Sequence, residues 1–433
     1  MEKFKIIDLF SGAGGLTEGF RDNSFEIVKH IEKDTAASRS LILRDIFYYL
    51  KNSNKLDLYN SYLSKEMSFN QLLECAPQIL LDKTINKEIG EETIDFIFRE
   101  IGDQSNISGI IGGPPCQAYS IIGRAQNESK KATDGRIYLY RYYIDFLKQY
   151  RPQFFVFENV KGLLSFKDTD GSLLFPKMHQ EFKDAGYEID YRLINTAEYG
   201  VAQKRERVII FGVPKTNSNL IRKFFKELES QKEDFISVKT ALEGLPKLKP
   251  GEENNHYQKV SNPYVNKHFK KNKNIILTQN IARPHREIDL KIYKEVASAK
   301  SKGKNLKYNE LDLSLITHKH TDKFLDRFKA LNWNAPSHTI VAHIAKDGHH
   351  YIHPDVNQNR SITVREAARI QGFPDDFYFE NSRTSAFTQI GNAVPPILSE
   401  KIALAVKMTI KEWVHYSFFF SIWEYARFKL GVT

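Results

Sequence analysis

Short runs of Ile, Val and Phe recur through the first half of the chain, at Phe4–Leu9, Glu26–Ile31, Ile107–Ile111, Gln153–Phe157, Tyr187–Asn195 and Val208–Val213. Each is followed by a longer stretch with helical spacing. Apolar strands alternating with helices predict an open α/β sheet, mostly parallel, with helices on both faces. The rhythm breaks twice. Residues 45–105 are rich in Leu, Tyr, Lys and Asn and predict a helical insertion, and from Pro214 to about Arg360 Pro, Asn, His and Lys become frequent. The last region predicts a helix over Thr363–Gln371, a turn at Gly372-Phe373-Pro374-Asp375-Asp376, and a helix from about Pro396 to Trp413. The expected organisation is a sheet domain over 1–214 carrying the insertion, a smaller irregular domain over 215–377, and a segment over 378–433 that returns to the sheet domain.

Charge sharpens this picture. Between Lys215 and Arg360 there are 27 Lys and Arg against 16 Asp and Glu, whereas the rest of the chain is close to neutral, with 36 against 37. A surplus confined to one segment suits a polyanion-binding surface, although a generic solvated surface has the same composition. Two cysteines, Cys75 and Cys116, cannot build a disulfide framework or a Cys-rich zinc site. Cys75 is expected to be a small buried apolar residue. The N-terminus lacks the pattern of a secretory signal, and no apolar stretch reaches the ~20 residues of a membrane span. The expectation is a cytoplasmic protein.

Candidate chemistry begins where β-type runs end. Asp8-Leu9-Phe10-Ser11-Gly12-Ala13-Gly14-Gly15 leads from a strand into a helix, and such a turn is either a nucleotide-like cofactor loop or a plain tight turn. The G-x-G-x-x-G pattern fails at Thr17 and a Walker A is absent. Glu32, after the second strand, is placed to hold ribose hydroxyls. Gly112-Gly113-Pro114-Pro115-Cys116-Gln117 puts a cysteine on a rigid lead-in at a strand end, where a thiolate could act as nucleophile. Phe154–Phe157 runs into Glu158-Asn159-Val160, which sets a carboxylate beside that strand end. Gln203-Lys204-Arg205-Glu206-Arg207 leads into another strand, with the two arginines on one side. Gln389–Pro396 reads as a turn opening a helix. His349, His350 and His353 crowd together, but no ligand spacing supports zinc, and no metal is expected.

Taken in order, these motifs resemble the DNA (cytosine-5)-methyltransferase family of bacterial restriction–modification systems, over nearly the whole chain outside 45–105 and 215–360. The resemblance implies a Rossmann-like, S-adenosylmethionine-dependent methyltransferase sheet. It implies sequence-specific methylation of cytosine C5 in double-stranded DNA, through a covalent Cys–C6 adduct on a flipped-out base. It gives the nucleophile to Cys116, the N3 and amino contacts to Glu158, cytosine O2 to Arg207, and loop ordering with positive field to Arg205. Pro115, Gln117 and Ser120 would lie beside the base, in and before a loop reaching about Asp134. Phe10 would pack on adenine, the backbone of Ser11, Gly12, Ala13, Gly14, Gly15 and Leu16 would hold the methionine moiety, and Glu32 the ribose. Asn392, Ala393 and Val394 would complete the pocket. Two departures stand out: Lys33 replaces the usual aromatic after the ribose acid, and only Glu88-Ile89-Gly90 could stand for the third cofactor motif. The 215–360 segment would be the target-recognition region. It carries donors able to read base edges, Asn254, Asn255, His256, Arg283, His285, Arg286 and the run Lys270–Lys273, a few of which would contact bases and the rest phosphates. The resemblance further implies a monomer, a cognate restriction endonuclease, and no membrane. The alternative is a tRNA-directed cytosine-5 methyltransferase of the same family, disfavoured by the long variable region.

Overall fold

In a computed structural model that describes residues 3–103, 106–115, 119, 135–272, 274–316 and 325–410, all six apolar runs are strands. They are β1 (Phe4–Leu9), β2 (Phe25–Ile31), β4 (Ile107–Gly112), β5 (Phe154–Val160), β6 (Tyr187–Asn195) and β7 (Glu206–Pro214), joined by an edge strand β3 (Thr84–Ile85). The order across the sheet is β3-β2-β1-β4-β5-β7-β6. Neighbours from β3 through β5 run parallel, and β7 alone is reversed, pairing antiparallel with both β5 and β6. The chain therefore moves outward from β1 to β3, then crosses back to β4 on the other side of β1. That reversal opens a crevice at the carboxyl ends of β1 and β4, where open α/β sheets take their ligands.

Alternation along the strands feeds two cores. On β5, Phe154 and Val156 join an apolar layer with Phe211 of β7 and with the helices Asn219–Glu229 and 396–410. Phe155 and Phe157 face the opposite layer, with Tyr143, Phe146 and Phe182 from the helices Leu139–Tyr150 and Leu174–Asp184. Phe224 stacks on Phe211 with ring centroids 3.9 Å apart, so the helix directly after Pro214 belongs to the sheet's packing.

The 45–105 stretch is largely helical, as its pattern predicts, with helices Leu56–Leu63, Phe69–Glu74, Gln78–Leu81 and Ile94–Ile101. It also holds β3, whose two residues make no readable apolar run. The insertion packs its own apolar cluster, into which Ile275 reaches from the later chain. A third cluster joins Val238, Leu242, Ile340 and Ile362 to the helix Val364–Gln371. Thr363 and Glu366 close a capping box at the start of that helix. A fourth cluster surrounds the helix Glu287–Ser301. Buried ion pairs lock the frame: Arg360 holds Glu366 through two 2.7 Å bonds, and Arg369 holds Asp375. Arg365 donates to the carbonyls of Thr278, Pro374 and Phe377. Arg365 and Arg369 thus brace the interior. Among the described residues no helix is long and apolar enough to cross a membrane.

Candidate active site

The loop after β1 turns sharply. Phe10 adopts a left-handed backbone, with φ of 54°, which is costly for a bulky residue and survives only where neighbours enforce it. Ser11 donates its backbone N–H to Ile31 and its hydroxyl to the Asp8 carbonyl, at 3.1 and 2.9 Å. These bonds tie the loop to β2, and Glu32 completes the tie. One Glu32 oxygen accepts the N–H of Gly12 and the other that of Asp34, both at 2.7 Å. Burial raises the Glu32 carboxyl above its ordinary range, against the pull of these two N–H donors. Each oxygen keeps a lone pair for a ligand hydroxyl. Nothing lies within 4 Å of where a Cβ on Gly12 would stand, so the loop borders open space.

The last motif closes on this loop. A Cβ on Gly15 would stand 2.3 Å from the carbonyl oxygen of Val394, so only glycine admits the contact. The Gln389–Pro396 segment differs from its expected form. Gln389 to Asn392 are the last turn of a helix, Arg383–Asn392, and the chain breaks over 393–395 before the next helix begins. The apparent turn signal, Gly391, serves packing instead, since a Cβ there would meet the Ala342 backbone nitrogen at 2.2 Å. Ala393 and Val394 are buried, Val394 against the loop after β1, and Asn392 is exposed.

Beside β4 a second group assembles. Val160 pairs with Arg207 across β5 and β7, which brings the Glu158 and Arg207 side chains together. Arg207 Nε stands 2.8 Å from Glu158 Oε1, with only 10% and 14% of the two side chains exposed. Gly113 packs on this pair so closely that a Cβ would lie 2.3 Å from the Glu158 carbonyl oxygen. Asn159 Nδ2 donates to the Pro114 carbonyl at 3.3 Å and fixes the lead-in to Pro115. Cys116, Gln117 and Ser120 lie outside the described residues. Arg205 does not share Arg207's surroundings. It is 1% exposed and donates to the carbonyls of Ile340 and Gly391, which joins the small domain to the last motif.

Several expected donors are already engaged. Arg283 donates to the carbonyls of Ile344, Ala345 and Lys346, and His285 bonds Ser361, with burial holding His285 down at about 4. Asn254 and Asn255 brace Asn280. Lys270 rests on the Tyr257 ring and Lys271 pairs with Glu400. His256 and Arg286 remain exposed, although Arg286 pairs with Asp289. The three clustered histidines turn to separate partners: His349 to Tyr293, His350 through its carbonyl to His338, and His353 to the Asp355 N–H. Cys75 is half-buried, with its thiol on the Gln71 carbonyl.

The sequence pattern did not flag Asn86. It follows β3 directly, and its amide donates to the carbonyls of Glu32 and Lys33 and to Ser38, so it braces the strand end that carries Glu32. Glu88, from the expected third motif, pairs at the surface with Lys33 at 2.8 Å.

A sheet of this order, with a loop–acid pair on one side of the switch point and a buried carboxylate–guanidinium pair on the other, is a methyltransferase architecture. The profile of the C-5 cytosine-specific DNA methylase family matches residues 4–77 and 59–408, and the chain belongs to that family. It is 37% identical to the type II methyltransferase M.Bpa9945I of Bacillus paralicheniformis, over 94% of this chain and 99% of that one. It is 29% identical to M.DdeI of Desulfomicrobium norvegicum, over 92% and 87%. Among solved structures, a prophage-encoded chain from E. coli described as a DNA modification methyltransferase superposes with a TM-score of 0.59 at 24% identity, covering 94% and 100% of the two chains. The protein is a DNA cytosine-5 methyltransferase of the type II restriction–modification kind, and enzymes of this family and fold use S-adenosylmethionine.

Proposed function

We propose that the chain methylates one cytosine within a short duplex sequence, by adding the Cys116 thiolate to C6 of a base flipped out of the helix. The observation that carries this reading is the Glu158–Arg207 pair, largely buried beside the Pro114-Pro115 lead-in to Cys116. Cytosine C5 is a poor nucleophile, and addition at C6 delivers electron density to it. Glu158 would hold N3 and the exocyclic amine and share a proton there, and Arg207 would hold O2 as charge develops. Pro115, Gln117 and Ser120 would border the base. Arg205 would act from a distance, by fixing the junction of Ile340 and Gly391. Bound S-adenosylmethionine would supply the methyl group. Phe10 would pack on its adenine, Ser11 to Leu16 would border its methionine part, Glu32 would take the ribose, and Asn392 to Val394 would close the pocket.

Residues 230–360, after the helix that packs on the sheet, would be the target-recognition region. Its exposed lysines would neutralise phosphates, and a minority of side chains would read bases. The engagement of Arg283 and His285 in internal bonds moves the base-reading role toward exposed neighbours such as His256 and Arg286. We further propose that the enzyme acts as a monomer in the cytoplasm and protects DNA from an endonuclease cutting the same site.

Bisulfite sequencing of DNA from cells expressing the protein tests this directly. The expected result is protection of one cytosine in every copy of one short sequence. Unprotected DNA together with a newly methylated tRNA would overturn the reading in favour of RNA.

A further inference from the structure

Behind the loop after β1 runs a buried chain of charged groups that the reaction above does not use. Asp8, at the end of β1, is 1% exposed and accepts the Thr17 hydroxyl, which closes the loop onto its helix. His30 of β2 is fully buried, with Nδ1 3.6 Å from Asp8 Oδ2 and Nε2 3.6 Å from Asp45 Oδ2. Asp45 holds Arg21 at 2.6 Å, Arg21 approaches Glu18, and Glu18 is clasped by Arg44 and by Tyr48. Arg44 ends the chain on Asp376 at 2.8 Å.

Two features single out His30. Among the described residues both ring nitrogens lack a hydrogen-bond partner, and so do Asp8 Oδ1 and Asp45 Oδ2 on either side. Only an imidazolium carries an N–H at both nitrogens, and it alone can serve both carboxylates. The chain also counts four carboxylates, Asp8, Asp45, Glu18 and Asp376, against two guanidiniums, Arg21 and Arg44. Uncompensated buried charge is costly, and a proton on His30 reduces the imbalance. The other charged groups near it act through Asp45 (Arg21, and Lys83 before β3).

We infer that His30 is a positioning residue for the cofactor loop, clamped as an imidazolium between Asp8 and Asp45, and that it steadies the loop only while it keeps its proton. The inference rests on the cofactor reading of that loop. Burial disfavours the charged ring, but Asp45 and Asp8 outweigh it and raise His30 above the ordinary histidine value. The sign follows from linkage: the support is complete below the ordinary value and disappears as pH climbs through the raised one. Cofactor affinity should therefore fall as pH climbs past the ordinary histidine value and through the raised one.

The test compares wild type with His30→Gln, titrating S-adenosylhomocysteine calorimetrically from acid to alkaline pH, with duplex binding measured in parallel. His30→Gln should weaken S-adenosylhomocysteine about tenfold at acid pH, where the wild-type ring keeps its proton and its charge between the two carboxylates. It should flatten the wild type's decline with rising pH and leave duplex affinity unchanged. Equal affinity and an equal pH profile in the two proteins would overturn the inference. Carbon-13 NMR of histidine-labelled wild type needs no variant to fold: a His30 ring that titrates above the ordinary histidine value supports the clamp, and one that titrates at or below it overturns it. A wild type that binds no S-adenosylhomocysteine at all, with His30 protonated, would instead remove the cofactor reading.

Discussion

Replacing Glu158 by glutamine should slow methyl transfer by about 10²–10⁴-fold, the range of a lost general acid–base group, while S-adenosylhomocysteine and duplex DNA still bind. Glutamine keeps the shape that Gly113 packs against, so the backbone around Pro114 has no reason to move. It cannot share a proton with cytosine N3, and its neutral oxygen can still accept from Arg207 but no longer balances the guanidinium's charge. That charge sits with only 10% of its side chain exposed, so some stability should be lost as well. Single-turnover methylation at saturating cofactor separates the two effects, because lost stability lowers the amplitude whereas lost chemistry lowers the rate constant. A rate constant within a few-fold of wild type would remove Glu158 from the reaction.

Exchange of residues 249–357 for the matching segment of a relative with another target should transfer methylation to the relative's site. The junctions come from the structure. Leu248 N donates to Gln358 at 3.0 Å, Arg360 donates to the Leu248 carbonyl at 3.1 Å, and Lys249 bonds the Asn357 carbonyl. The segment thus leaves and rejoins the frame at one point. It docks on the sheet's side partly through backbone, where Ser337 exchanges bonds with Ala202 and Lys204 and Arg205 takes the Ile340 carbonyl. It docks partly through side chains, with Val265 and Phe269 in the sheet's apolar layer and Lys271 on Glu400, so the matching segment must keep those contacts. A foreign segment of the same backbone form can make the backbone bonds whatever other side chains it carries. Bisulfite sequencing reads the outcome. An active chimera that still methylates the original sequence would place target reading elsewhere, with the 45–105 insertion the next region to exchange.

The strands could be read from sequence because a sheet buried on both faces demands near-continuous apolar runs, as in β1, while β6 at the edge alternates apolar with charged residues, and both match their expected limits to the residue. β3 could not, because two residues held at an edge by β2 need no apolar run. Gly391 misled for a related reason: a glycine read as turn punctuation is there to let two backbones touch inside a helix. The Glu158–Arg207 juxtaposition was legible only as two motifs. Antiparallel pairing of β5 with the reversed β7 turns them into a contact, and no local pattern announces that reversal. Donors such as Arg283 and His285 look alike in sequence whether they face solvent or cap a turn, so only the fold shows that they are engaged. His30 and Asn86 carried no signal at all, since each is a lone polar residue whose partners lie on other elements.

Covalent catalysis by Cys116 on a flipped cytosine would leave an adduct that a suitable base can trap. Duplex DNA with 5-fluorocytosine at the target position is incubated with S-adenosylmethionine and either wild type or Cys116→Ser, then denatured and resolved by mass. The fluorine at C5 cannot leave as a proton, so elimination of the thiolate is blocked once the methyl group has moved. The account predicts a denaturation-resistant protein–DNA adduct, one methyl heavier than the sum of its parts and attached at Cys116, with none formed by Cys116→Ser. Wild type that methylates ordinary duplex at the same site yet forms no such adduct would contradict it.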